Sequence, residues 1–356
     1  MTSLARSDDR HEPHPAFFSV DAGGDVVGDP RELESAAASA EAAGYDGLLA
    51  TEIQHDPFIG LALASRSTER IQLSSAIAVA FARNPMSTAV LANDLQLISN
   101  GRFVLGLGSQ VKAHIERRFS MPWSQPAKRM AECIRAIRAI WQAWESGERL
   151  RFSGEFYRHD LMTPMFDPGP NPYGSPGIRL AAVGERMTEV AGEVADGFLS
   201  HSFTTRRYLE EVSVPALRRG RAAAGRDPDD LGINVPAFVI AGEDSAALAA
   251  AETATRKQIA FYGSTPAYRG VLDLHGWAGL HERLHAASLR GSWDEMAGMI
   301  GDEVLDELAV TGSPAQIAAE LRARFDGLAS RVSFNTPYPV DPALLTEVLS
   351  ALRSPA

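Results

Sequence analysis

Four stretches bring together side chains that can move protons, hold an anion or let a flat ring come close. The first reads Thr51-Glu52-Ile53-Gln54-His55-Asp56-Pro57-Phe58. Glu52 can hold a ligand by hydrogen bonding, and His55 can shuttle a proton near neutral pH with Asp56 orienting it. Asp56 before Pro57 is equally the chemistry of a turn. The second stretch, from Ser75 through Ala76 and Ala78 to Arg83-Asn84-Pro85, is short of bulk. A planar ring could approach its backbone, although tight strand packing calls for the same small residues. The third, Gly106-Leu107-Gly108-Ser109-Gln110, frees the backbone through two glycines but lacks the spacing of a Rossmann or Walker fingerprint. The fourth, Ala182-Val183-Gly184-Glu185-Arg186-Met187, is a small-residue turn leading into a helix, where unpaired N–H groups attract an anion and Arg186 adds charge. Among proton-handling groups His55 ranks first, His201 second and Tyr338 third. His275, His281 and His285 lie within a few turns of each other without carboxylates in register, so no metal site is expected.

These groups need a scaffold that gathers the ends of many strands. Short apolar or β-branched runs at 17–21, 47–51, 71–79, 103–106, 178–182, 197–201, 233–241 and 332–335 alternate with helical patterns at 31–43, 86–98, 126–146, 186–194, 205–224 and 341–352. Such alternation is the signature of a parallel sheet wrapped by helices, and eight strands match a closed (β/α)8 TIM barrel. Asp29 before Pro30 is a candidate N-cap for the first helix. Every chemical stretch above then falls after a strand, on the face where barrels keep their sites. Residues 1–15 read as a disordered N-terminal segment and 16–356 as a single domain. Within it, 242–330 holds more helical pattern than one crossover needs and is expected to be a helical insertion, before the last strand, over the barrel mouth.

With 34 Lys and Arg against 45 Asp and Glu, the net charge of -11 repels polyanions, so nucleic acid is not an expected partner. No apolar run approaches the roughly 18 residues of a membrane span, and the start lacks a secretory signal's apolar region; a cytoplasmic protein with no membrane partner is expected. The single cysteine, Cys133, sits in a helical stretch and reads as a small buried thiol.

Arg83-Asn84-Pro85, Leu95-Gln96-Leu97-Ile98-Ser99-Asn100-Gly101-Arg102 and Leu105-Gly106-Leu107-Gly108, in this order, resemble the luciferase-like flavin and deazaflavin oxidoreductases. Arg129-Met130 with Glu132, Phe156-Tyr157 and Ala195-Asp196-Gly197 extend the likeness downstream. The run from Gly106 to Phe119 resembles a subgroup dependent on coenzyme F420. The resemblance implies a hydride-transferring oxidoreductase and a homodimer, and the aromatic-rich insertion suggests a small apolar substrate. It places Glu52 and Ala78 against the cofactor ring, His114 near the ribityl chain, and Val183, Gly184, Arg186 and Met187 around the phosphate. It also implies a non-proline cis peptide at Ser75-Ala76. The full expected cofactor set is Glu52, Ser75, Ala76, Ala78, Gly108, Ser109, His114, Ala182, Val183, Gly184, Arg186 and Met187. Val111, Ile53 and the absence of a lysine near His201 and Thr204 depart from the sugar-phosphate dehydrogenases of the subgroup, so glucose 6-phosphate is not the expected substrate. Two alternatives stay open: a monooxygenase using reduced FMN, and a barrel that binds a cofactor or metabolite without turnover.

Overall fold

A computed structural model of the chain describes residues 18–23, 29, 31–230 and 232–354; the expected N-terminal segment 1–15 and residue 17 of the first strand lie outside them. Eight parallel strands close into a barrel: β1 (Ser19–Ala22), β2 (Gly47–Ala50), β3 (Gln72–Ser75), β4 (Phe103–Gly108), β5 (Gly177–Ala181), β6 (Gly197–Leu199), β7 (Ile233–Ile240) and β8 (Arg331–Asn335). Closure is made where β8 pairs with both β7 and β1. Labels α1 to α8 are kept for the barrel helices: Leu33–Ala43, Pro57–Ser67, Pro85–Ile98, Pro126–Ser146, Glu185–Val194, Val214–Ala223, Pro314–Phe325 and Pro342–Arg353.

Four of these helices start by one local rule. Asp56, Asn84, Ser313 and Asp341 each accept a backbone N–H of the first turn, and each precedes a proline whose missing N–H costs the helix nothing. The expected cap at Asp29 is different: α1 begins at Leu33, and Asp29 instead accepts the backbone N–H of Arg31 at 2.9 Å. α2 and α7 were not in the expected helix set. The run at 71–79 is two pieces, β3 and a short strand Ala78–Val79 paired with β4. The run at 205–224 bends through a π-helical turn, Leu209–Ser213, before α6, whose Pro215 has no N–H to donate.

The barrel floor is polar. Arg331 donates to Asp21 at 2.9 Å, Arg179 reaches Gln72 at 2.6 Å, and a Cβ on Gly47 would lie 2.4 Å from Asp21 Oδ1, so glycine there makes room for the ion pair. One apolar cluster fills the space between strands and helices. A second joins the helices Ser245–Gly263, Arg269–Leu274, Ala278–Leu289, Trp293–Ala297 and Asp302–Leu308 to Phe203, Phe238 and Tyr338, at the C-terminal ends of β6, β7 and β8. The insertion thus stops short of its expected end at 330, because Ala309–Thr311 extends the sheet beside β7 and α7 packs on α8 as a barrel helix. Among the described residues no helix is long and apolar enough to cross a membrane, and no group of three His, Cys, Asp or Glu could hold a metal ion.

Candidate functional site

The wall made by β3 and β4 begins with a lock. Ser75 has no exposed surface; its hydroxyl donates to Gly106 O at 2.8 Å and accepts from Gly106 N at 2.9 Å. A Cβ on Gly106 would sit 1.8 Å from Ser75 O, so no other residue fits. The cis peptide lies at Ala76-Ile77, one residue beyond the expected place. Beyond it, Ala76 and Ile77 are half-buried while Ala78 has no exposed surface. Ser75 and Ala78 are therefore removed from the expected cofactor contacts: both face packed protein. Ile77, which the sequence did not single out, lays its side chain across Gly108, where a Cβ would come within 2.9 Å. Ser109 is half-buried, and its hydroxyl donates to Gln110 O at 3.1 Å. His114 lies exposed on the short helix Lys112–Arg117.

Glu52 is committed to protein. One carboxylate oxygen accepts from Val79 N at 2.7 Å and pairs with Arg83 at 2.5 Å, and its side chain is only 8% exposed. Arg83 also reaches Asp56 at 2.7 Å and lies over the Phe58 ring, tying the loop after β2 to the loop after β3. Glu52 is accordingly reassigned from ring contact to bracing the bulge that carries Ile77, whose carbonyl accepts Glu52 N. Asp56 caps α2 and does not orient His55, which is exposed.

Across the mouth, alternation along β6 turns Gly197 and Leu199 inward, where Gly197 lies against Arg179 and Leu199 against Gly106, and so brings His201 to the inner rim. His201 Nδ1 accepts the N–H of Phe203 at 3.0 Å, which leaves the proton of the neutral ring on Nε2. Tyr262 meets the imidazole edge-on at 4.4 Å between centroids, and Tyr268 lies at 4.5 Å. Burial among these rings pushes its pKa down to about 4. Tyr338, by contrast, has a spent hydroxyl: it donates to Val239 O at 2.9 Å and accepts from Ala241 N at 2.8 Å. It pins the end of β7 and is withdrawn as a proton donor.

The start of α5 has no side-chain cap. Gly184, Arg186 and Met187 line an open cleft of about 660 Å³ with Gln125 and Lys128 from the start of α4, residues the sequence did not single out. Nothing lies within 4 Å of a Cβ built on Gly184. Val183 O accepts the hydroxyl of Tyr208 at 3.2 Å, and Ala182 is 8% exposed, holding β5 to β6 through Leu199 O.

A family model described as luciferase-like monooxygenase matches residues 13–331. The chain belongs to this family. An uncharacterized protein of Mycobacterium tuberculosis is 55% identical over 306 residues, covering 85% of this chain and 90% of its own. The 5,10-methylenetetrahydromethanopterin reductase of Archaeoglobus fulgidus is 27% identical over 319 residues, 87% of this chain and 91% of that one. In fold, the coenzyme F420 dependent tetrahydromethanopterin reductase from Methanopyrus kandleri superposes with a TM-score of 0.75 at 20% identity, covering 94% and 97% of the two chains. In this luciferase-like barrel the motif residues Glu132, Arg129 and Tyr157 do scaffold work. Glu132 accepts the N–H groups of Glu155, Phe156 and Tyr157 at 2.9, 2.7 and 2.7 Å, and Arg129 donates to Tyr157 at 3.0 Å, which docks the 152–159 hairpin on α4. Cys133, beneath them, is buried and its thiol is pushed up to about 12.

Proposed function

We propose that the chain is a coenzyme F420-dependent oxidoreductase that moves a hydride between the deazaflavin and a small, uncharged, apolar organic substrate. The observation that carries this reading is His201, a neutral imidazole with a free Nε2–H, set among aromatic rings at the rim of the barrel. Relatives named for coenzyme F420, 31% and 32% identical over parts of the chain, support the choice of cofactor. The residues fit such a group: Ala76, Ile77 and Gly108 offer a low wall to a planar ring, and the uncapped start of α5 offers its backbone N–H groups to an anionic tail, beside Arg186 and Lys128, which are paired with Glu189 at 3.0 Å and with Glu155. When bound, the deazaflavin supplies a carbon-borne hydride. His201 then donates a hydrogen bond through Nε2 to the substrate atom that gains charge, as a neutral imidazole does best when its protonated form is out of reach. His55 and His114, both exposed, can serve proton exchange with solvent. The insertion dries this side of the mouth with Tyr262, packed on Phe203 and Phe238 of the barrel.

Titrating apoprotein with coenzyme F420 and, separately, FMN by tryptophan quenching tests the cofactor. Micromolar or tighter binding of coenzyme F420 with much weaker FMN is the expected result. The reverse preference, with oxygen consumption, would favour the monooxygenase reading that the family's name suggests, and binding of neither would favour a barrel without this chemistry. The same proposal includes a cytoplasmic homodimer, with the exposed Ile59, Val90, Leu91, Leu97 and Ile98 of α2 and α3 as the contact; light scattering at micromolar protein checks the dimer.

A further inference from the structure

His201 stands on the barrel, yet the two tyrosine rings against it come from the insertion. Tyr262 ends the helix Ser245–Gly263, and Tyr268 lies in the 3₁₀ turn Pro266–Tyr268 that follows. Both rings lie within 4.5 Å of the imidazole centroid, one edge-on and the other tilted by 34°. The helix can come this close because Gly263 has no side chain: a Cβ there would meet Leu284 at 2.9 Å and Phe203 at 3.5 Å. Below the ring, the Phe203 N–H occupies Nδ1. A proton on Nδ1 would face that N–H, donor against donor, so the geometry itself opposes the imidazolium. Nε2 is left with no protein partner among the described residues. Among the described residues the titratable groups against the ring are Tyr262 and Tyr268; burial raises both hydroxyls, that of Tyr268 to about 12, so neither carries charge near neutrality. No carboxylate or cation among the described residues acts on the imidazole.

We propose that Tyr262 and Tyr268 are positioning residues: from the insertion, they pack against the His201 ring whose tautomer the Phe203 N–H sets, shield its faces from water and leave Nε2–H as its single free polar group. This rests on the reading of His201 as the donor to substrate. Its consequence is that the insertion sets which protonation state of the barrel histidine the substrate meets. A substrate bearing a carboxylate or phosphate next to His201 would find no cation there, whereas a ketone, aldehyde or imine would find a donor.

Histidine Cε1–H resonances of the full chain, assigned with His201→Gln, test this without any turnover. The wild-type His201 signal should stay that of a neutral ring down to below pH 5. In Tyr268→Leu, which removes the covering ring from an exposed turn, the midpoint should rise by about one unit or more, while Tyr268→Phe, which keeps the ring, should match wild type. Tyr262→Leu gives a second, independent removal if the first disturbs folding, judged by near-UV circular dichroism. A wild-type midpoint near 6.5, or a midpoint unmoved in both leucine variants, overturns the proposal. Turnover separates it from the reading beneath it: His201→Gln with full kcat would sink His201 as the donor while leaving the titration result intact.

Discussion

Glu52→Gln separates a brace from a cofactor ligand. The substitution keeps the shape of the side chain and removes its charge, so the 2.5 Å pair with Arg83 becomes at best a neutral hydrogen bond. Breaking a fully buried pair costs about 3–5 kcal/mol, and losing one charge-assisted hydrogen bond about 1.5–3. Arg83 is 14% exposed and keeps Asp56 at 2.7 Å, so its charge is not orphaned. The Val79 N–H keeps an acceptor in the amide oxygen. The expected loss is therefore near the lower range, about 2 kcal/mol. Urea unfolding followed by tryptophan fluorescence reads the loss, and cofactor titration reads affinity in the same samples. As a brace, Glu52 should show the stability loss with less than about a threefold change in cofactor affinity, which is under 1 kcal/mol. A variant of wild-type stability that binds coenzyme F420 tenfold more weakly would refute the reassignment and return Glu52 to the ring.

Ser75→Ala should cost about 2–4 kcal/mol in urea unfolding, because it strands both the N–H and the carbonyl of Gly106 in a buried wall; unchanged stability would refute the lock. Tyr338→Phe should destabilise by about 1–3 kcal/mol through the loss of its bonds to Val239 and Ala241, with kcat intact; a kcat loss beyond tenfold in a stably folded variant would restore it as a proton donor. Arg186→Ala should weaken coenzyme F420 binding several-fold at low salt and much less at high salt, and a salt-independent effect would count against an anion site at α5. His201 makes stability depend on pH. Its folded pKa, about 4, lies below the unfolded value of 6.5, so the unfolded chain binds more protons between them. Stability from this group is full above about pH 6.5 and is lost as pH falls toward 4. His201→Gln should flatten that limb of the stability profile, and an unchanged slope would contradict the neutral ring packed between Tyr262 and Tyr268.

Periodicity and capping chemistry carried the architecture. Eight strand runs, their alternation with helices and the chain of Leu95 to Gly108 motifs were legible because each depends on neighbours a few residues away. The start of a helix just after Gly184 was legible for the same reason, being a local property. What the sequence could not decide was which groups were already spent. Glu52 and Arg83 are 31 residues apart, Ser75 and Gly106 also 31, and Tyr338 is 97 from Ala241, so only closure of the barrel reveals that their polar atoms satisfy one another. The aromatic surroundings of His201 arise the same way, from rings 61 and 67 residues downstream that the insertion folds against it. A buried polar atom must find a partner, and in a closed parallel barrel those partners come from distant strands, so local sequence can nominate chemical groups while tertiary packing determines which of them remain free to react.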